Sequence, residues 1–174
     1  MKLAIIGIQG SGKGTQAKLI AKEFKLKRIA VGELARKEIK TGSRRGRILA
    51  KYMNKGLLAP NKIINKLILK NLPKNNFIID GFPRDKRQLK TAKKIALDKV
   101  ILLTLPKKEV YKRIKIRKKL QDRADDEKKS LETRLKIFYK HSPEIVKHFK
   151  GKLIKVNGNQ SRRKVFLDIK KILK

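Results

Sequence analysis

Gly7-Ile8-Gln9-Gly10-Ser11-Gly12-Lys13-Gly14-Thr15-Gln16 decides how this chain is read. It follows an apolar run, Leu3-Ala4-Ile5-Ile6, and precedes a helical pattern, Ala17-Lys18-Leu19-Ile20-Ala21-Lys22-Glu23-Phe24. Strand, glycine-rich loop and helix, in that order, is the setting of a phosphate-binding loop. Glycines let the backbone bend so that several N–H groups point into one concavity. The helix N-terminus adds its positive end, and Lys13 adds a mobile full charge. A nucleotide polyphosphate is the guest such a loop suits. An ordinary strand-to-helix turn would account for two of the glycines, but not for Lys13 at the helix start after a buried-type strand.

Gly7, Gly12 and Lys13 hold the general phosphate-loop spacing, while Gly14 stands where Ser or Thr is usual and Thr15 comes one position later. Gly-Lys-Gly-Thr-Gln is the form seen in nucleoside monophosphate kinases, and the chain resembles the adenylate kinase family. A second stretch points the same way: Phe77-Ile78-Ile79-Asp80-Gly81-Phe82-Pro83-Arg84. An apolar strand ending in Asp80 puts a carboxylate at the edge of a sheet, near the phosphates. There it can hold the water shell of Mg²⁺, an ion that keeps several of its waters. Gly81 and Pro83 shape a tight turn that projects Arg84. Taken singly, Asp80 reads as a turn cap and Arg84 as a surface residue; as a unit, Asp-Gly-Phe-Pro-Arg matches the signature of the kinase family, with Gln88 following as in adenylate kinases.

The resemblance assigns roles. Gly10, Ser11, Gly12, Lys13, Gly14 and Thr15 would bind ATP, with Asp80 reaching Mg²⁺ through water. Arg84 and Gly81 would meet the acceptor AMP, Arg84 at its phosphate, and Gln88 would hydrogen-bond its base. Val31-Gly32-Glu33-Leu34-Ala35-Arg36 resembles the family's Thr-Gly-Asp-x-x-Arg, which makes Val31, Gly32 and Arg36 AMP-binding positions, Arg36 at the phosphate. Val31 replaces the usual Thr, so a hydroxyl is missing. Gly56-Leu57-Leu58 resembles the stretch lining the AMP base pocket. Gln9 replaces a common Pro, a change of loop stiffness and not of chemistry. Val156-Asn157-Gly158-Asn159-Gln160 resembles the family's loop beside the ATP base and also reads as a plain turn; it makes Gln160 an ATP contact.

A series of arginines is the third signal. Arg113 and Arg117 are four apart and share one helix face, and Arg123 and Arg134 are eleven apart, about three turns, which again gives one face along a continuous helix. In so basic a chain, any one of them reads as part of a solvated helix face. Asp125-Asp126-Glu127 suits a helix N-terminus, where acids meet the positive dipole end. The spacings match short-lid adenylate kinases. By that likeness Arg113 covers the ATP adenine, while Arg117, Arg123 and Arg134 surround the exchanging phosphates, Arg117 on the ATP side and Arg123 and Arg134 on the AMP side. Guanidinium forks bind phosphate bidentately, which lysine cannot do. The expected catalytic set is Lys13, Arg84, Arg117, Arg123 and Arg134.

Short apolar runs at Leu3–Ile6, Arg28–Val31, Phe77–Ile79, Val100–Leu103 and Leu153–Val156 alternate with helical patterns, the last near Arg162–Leu173. That alternation predicts an α/β fold with a five-stranded parallel sheet covered on both faces, and ligands bound beyond the carboxyl ends of the strands. Residues 32–72 show only helical patterns and read as a helical flap, which the resemblance makes an AMP-binding insertion. A short lid is expected at 119–124. With core segments 1–31, 73–118 and 125–174, the 174 residues make a single three-layer kinase domain.

The chain has no Cys, which excludes a disulfide framework and a Cys-based zinc site, and neither His141 nor His148 has metal-ligand partners at useful spacing. No apolar run nears membrane-spanning length, and no export signal opens the sequence, so a cytoplasmic monomer is expected. Fifty Lys and Arg against 14 Asp and Glu give a net charge of +36. The lysines are spread along every helix, which favours compositional drift, with steering of nucleotides and weak non-specific nucleic-acid binding as by-products. The expected function is therefore adenylate kinase, Mg-ATP and AMP to two ADP. UMP/CMP kinase and a P-loop ATPase acting on nucleic acid are the alternatives.

Overall fold

The structure, a computed structural model, describes residues 1–120 and 127–174, the side chains of 119 and 120 excepted. Five strands, β1 (Lys2–Gly7), β2 (Lys27–Ala30), β3 (Phe77–Asp80), β4 (Lys99–Thr104) and β5 (Leu153–Asn157), pair in the order β2-β3-β1-β4-β5. Every pairing is parallel. Because side chains alternate along a strand, the sheet sorts its apolar residues into two cores. Leu3, Ile5, Ile78, Ile101 and Leu103 pack with Ala17 and Ile20 of helix α1 (Lys13–Glu23) and Val165 and Ile169 of α8 (Arg162–Leu173). Ala4, Ile6, Phe77, Ile79, Val100 and Leu102 join the opposite core. That core draws on α2 (Val31–Lys40), α3 (Arg44–Met53), α4 (Asn61–Asn71), α5 (Leu89–Ile95) and the far end of α7 (Lys128–His148). Strands buried on both faces must be apolar throughout, which is why they read as short continuous runs.

The expected three-layer α/β architecture is present. One strand boundary is corrected: β2 ends at Ala30, and Val31 is the first residue of α2. The β-branched side chain disguised a helix start whose acidic first turn, with Glu33, favours the positive end of the helix dipole. Between β2 and β3 the chain forms only α2, α3 and α4. A third apolar cluster, with Ile8, Leu105, Val110, Ile114, Leu131 and Leu135, joins α6 (Lys107–Leu120) to α7 beside the glycine-rich loop. Arg123, Asp125 and Asp126, with most of the expected lid, lie outside the described residues.

Candidate active site

In the register of the sheet, Ile5 of β1 stands beside Asp80 of β3, and Ala30 of β2 stands beside Asp80 on its other side. The carboxyl ends of three strands thus meet where the loop after β1 turns into α1. Gly7 has φ 146°, and a Cβ there would fall 2.5 Å from the Leu103 carbonyl oxygen, so the loop leaves the sheet at a point only glycine can occupy. Gly12, with φ 93°, is the N-cap of α1 and offers no side-chain cap. The first N–H groups of that helix are left for an anion.

The Lys13 ammonium folds back under the loop and donates to the Ile8 carbonyl at 2.7 Å. Burial pulls its pKa from 10.5 down to about 7; Asp80 opposes this, while Arg84, Arg117 and Arg134 push further down. Four cations from α1, the turn after β3, α6 and α7 therefore converge on one space, and a polyphosphate is the chemistry that relieves them.

That space is a cavity of about 710 Å³. Gly10, Ser11, Gly12, Lys13, Gly14 and Thr15 line it, with Gly32, Arg36, Leu57, Leu58, Asp80, Gly81 and Arg84. Arg113, Arg117, Arg134 and Gln160 complete the wall. A hollow of about 60 Å³ shares Gly32, Arg36, Leu57, Leu58, Gly81, Arg84 and Arg134 with it and adds Val31, Met53, Ile64 and Gln88. Every candidate named from the sequence that falls among the described residues thus lines one or both; Arg123 falls outside them.

Local bonds fix these side chains. Arg84 donates from Nε to the Gly81 carbonyl at 2.8 Å, and its backbone N–H reaches Gln88 Oε1 at 2.8 Å. Gln88 is buried and donates from Nε2 to Asn61 Oδ1 at 2.7 Å, which leaves its amide one N–H and one lone pair for a further partner. Arg113 donates to the Gly158 carbonyl at 3.0 Å, and a Cβ on Gly158 would lie 3.1 Å from the Ser11 carbonyl oxygen. The turn carrying Gln160 is thereby held against the glycine-rich loop. Gly56, with φ 70°, abuts α7 so closely that a Cβ would fall 2.3 Å from the Ser130 carbonyl oxygen.

Three participants escaped the sequence reading. Gln9 accepts a hydrogen bond from Arg134 at 3.2 Å across 125 positions of chain, so it is more than a change of loop stiffness. Asn61 holds the Gln88 amide. Arg28 lines the cavity from β2 and forks onto Glu33, donating from NH1 to Oε2 at 3.0 Å and from NH2 to Oε1 at 2.8 Å. The same NH2 donates to Asp80 Oδ2 at 2.9 Å. Burial lowers the Arg28 pKa, but its bonds to Glu33 and Asp80 outweigh that and hold it above its ordinary value. The Arg28 fork in turn holds Glu33 below the usual carboxylate range. The available signal was period-two alternation, since Arg28 and Ala30 face the cavity from one side of β2. Among the described residues no three of His, Cys, Asp and Glu gather as a metal cage.

The family model described as adenylate kinase matches residues 5–154. The chain belongs to the adenylate kinase family. The adenylate kinase of Buchnera aphidicola subsp. Cinara cedri is 36% identical over 197 positions, covering 92% of this chain and 91% of its own length. That of Azobacteroides pseudotrichonymphae is 33% identical over 181 positions, covering 97% and 95%. That of Thermoanaerobacter sp. (strain X514) is 29% identical over 212 positions, covering 99% and 98%. The last alignment is 38 positions longer than the 174-residue chain, so this family member does without at least that many positions of its relative. Among the described residues no helix is long and apolar enough to cross a membrane.

Proposed function

We propose that the protein catalyses reversible phosphoryl transfer from ATP to AMP, giving two ADP. The observation that carries this is one cavity in which Lys13, Arg84, Arg117 and Arg134 act on the same space, sharing lining residues with a smaller hollow that Gln88 also lines. Phosphoryl transfer asks a protein for little covalent chemistry; it asks for alignment, charge neutralisation and dryness. In this reading the loop from Gly10 to Thr15 cradles the ATP phosphates, Arg113 and Gln160 border its base, and Arg117 takes the ATP side of the transfer. Arg36 and Arg84 grip the AMP phosphate, with Arg134, and Arg123 by family likeness, on the AMP side. Val31, Gly32, Leu57, Leu58, Gly81 and Gln88 enclose AMP.

The donor set suits Mg²⁺. Asp80 supplies a hard carboxylate and Thr15 a hydroxyl beside the loop, and with no cage of three acids among the described residues the ion would rely on nucleotide phosphates and water, as Mg²⁺ does in kinase sites. When bound it would supply neutralisation of charge on the nucleotide phosphates. We also infer that segment 32–72 is the AMP-binding insertion and 119–124 a short lid on the core. Closure of the insertion over the cavity would exclude water and suppress ATP hydrolysis. A cytoplasmic monomer fits this role.

One coupled assay tests the reading, with Mg-ATP as donor and AMP, UMP, CMP and GMP as parallel acceptors. AMP is expected to give the highest kcat/KM, because an adenine edge offers a donor and an acceptor for the one N–H and one lone pair that the buried Gln88 amide has left. Faster UMP or CMP phosphorylation makes the protein a pyrimidine kinase of the same class, and no transfer to any monophosphate rejects the class.

A further inference from the structure

Arg28 stands between two carboxylates that come from different elements: Asp80 at the end of β3 and Glu33 in the first turn of α2. Its side chain is 16% exposed and that of Asp80 13%, against 53% for Glu33. The buried end of this triad is thus the Arg28–Asp80 contact, and the wet end is the fork onto Glu33. The division of bonds matters. NH1 and NH2 together hold both Glu33 oxygens, and only NH2 is shared with Asp80. Release of Asp80 therefore leaves the bidentate Arg28–Glu33 pair whole. The backbone beside it is cleared: a Cβ at Gly14 would lie 3.3 Å from Asp80 Oδ2 and 3.7 Å from Arg28 NH2. The Arg28 Nε is buried without an acceptor, so the two outer nitrogens carry all of the guanidinium's bonding to the site.

We propose that Arg28 is a resident cation of the metal-facing Asp80, a positioning residue that neutralises this carboxylate between turnovers and gives it up to hydrated Mg²⁺ when the nucleotide arrives. This rests on the kinase reading of the cavity and goes beyond it, because it makes the divalent ion compete with a charge built into the chain. A carboxylate at the end of β3, beside the cavity, has a partner at every stage, first a guanidinium and then a hydrated ion. The cost is a weaker hold on the metal than the same carboxylate would have if left bare. Glu33 keeps the displaced guanidinium near and so makes the exchange repeatable.

The test uses Arg28→Gln and Arg28→Lys in the full chain. Mg²⁺ is titrated calorimetrically into each protein saturated with a non-hydrolysable ATP analogue, and Mn²⁺ binding is read in parallel by electron paramagnetic resonance. A partly exposed ion pair of this kind corresponds to about two- to fivefold in a binding constant. Arg28→Gln should therefore bind both ions about two- to fivefold tighter than wild type, and Arg28→Lys, which keeps the charge but not the fork, should fall between. Arg28→Gln without metal or nucleotide should also melt a few degrees lower, since Asp80 has lost its partner. Unchanged or weaker metal binding in a folded Arg28→Gln protein overturns the proposal, weaker binding meaning that Arg28 only props the carboxylates in place. The acceptor assay on wild type is scored separately. If wild type phosphorylates no monophosphate, the kinase reading fails while the metal titrations still report on Arg28.

Discussion

Burial is the main cause that pushes the Lys13 pKa down to about 7. That value lies below the ordinary 10.5, so between pH 7 and 10.5 the unfolded chain holds the proton that the folded chain has lost. The contribution of this group to stability therefore rises with pH through that window and is least favourable below it. Nucleotide phosphates restore the charge. At pH 8, ATP binding should take up a large part of about one proton, read by calorimetry in buffers of different ionisation enthalpy. Lys13→Met should abolish the uptake and cut turnover about a hundredfold or more, with a normal circular dichroism spectrum because Lys13 is not part of any apolar core cluster.

At the scale of elements, α2 carries the Val31 position, at which the sequence resemblance expects a hydroxyl. Its first residue, Val31, is buried and lines the hollow beside Gln88, where the family has Thr. Restoring the hydroxyl with Val31→Thr should lower the KM for AMP several-fold, the value of one neutral hydrogen bond, and leave the KM for ATP unchanged. The same element marks the limit of what the sequence carried. The glycine-rich loop and the Asp80–Arg84 turn were legible because each is a contiguous stretch whose residue types have local backbone reasons. The two-faced sheet was legible because its strands are unbroken apolar runs. Val31 was read as strand because β-branching and burial look alike at a helix start and at a strand end. Arg28 was passed over because one partner is 5 positions away and the other 52, and only the pairing of β2 with β3 joins them. The Gln9–Arg134 bond was illegible for the same reason over 125 positions.

The whole molecule carries a net charge of +36. Many of its few acids are bound to cations, some near in sequence and some far: Glu23 to Lys170, Glu38 to Arg45, Asp85 to Arg87, Glu127 to Lys118 and Asp168 to Lys164. The remaining positive charges repel one another most in the compact state, and at 0.15 M salt the Debye length is about 8 Å. The melting temperature should therefore rise from low to moderate KCl, and rise further with phosphate or ATP at equal ionic strength; a flat or falling trend would remove charge repulsion from the account. The contact of Gly56 with Ser130 sets a different kind of limit on such a chain. It is built mainly from backbone, with the approach to the Ser130 carbonyl open only because position 56 has no side chain. A lineage accumulating lysine can rewrite the exposed faces on either side of this contact and keep the junction intact. The junction hangs on one glycine, as the exit from β1 hangs on Gly7, and at both the opposing backbone carbonyl bars any side chain.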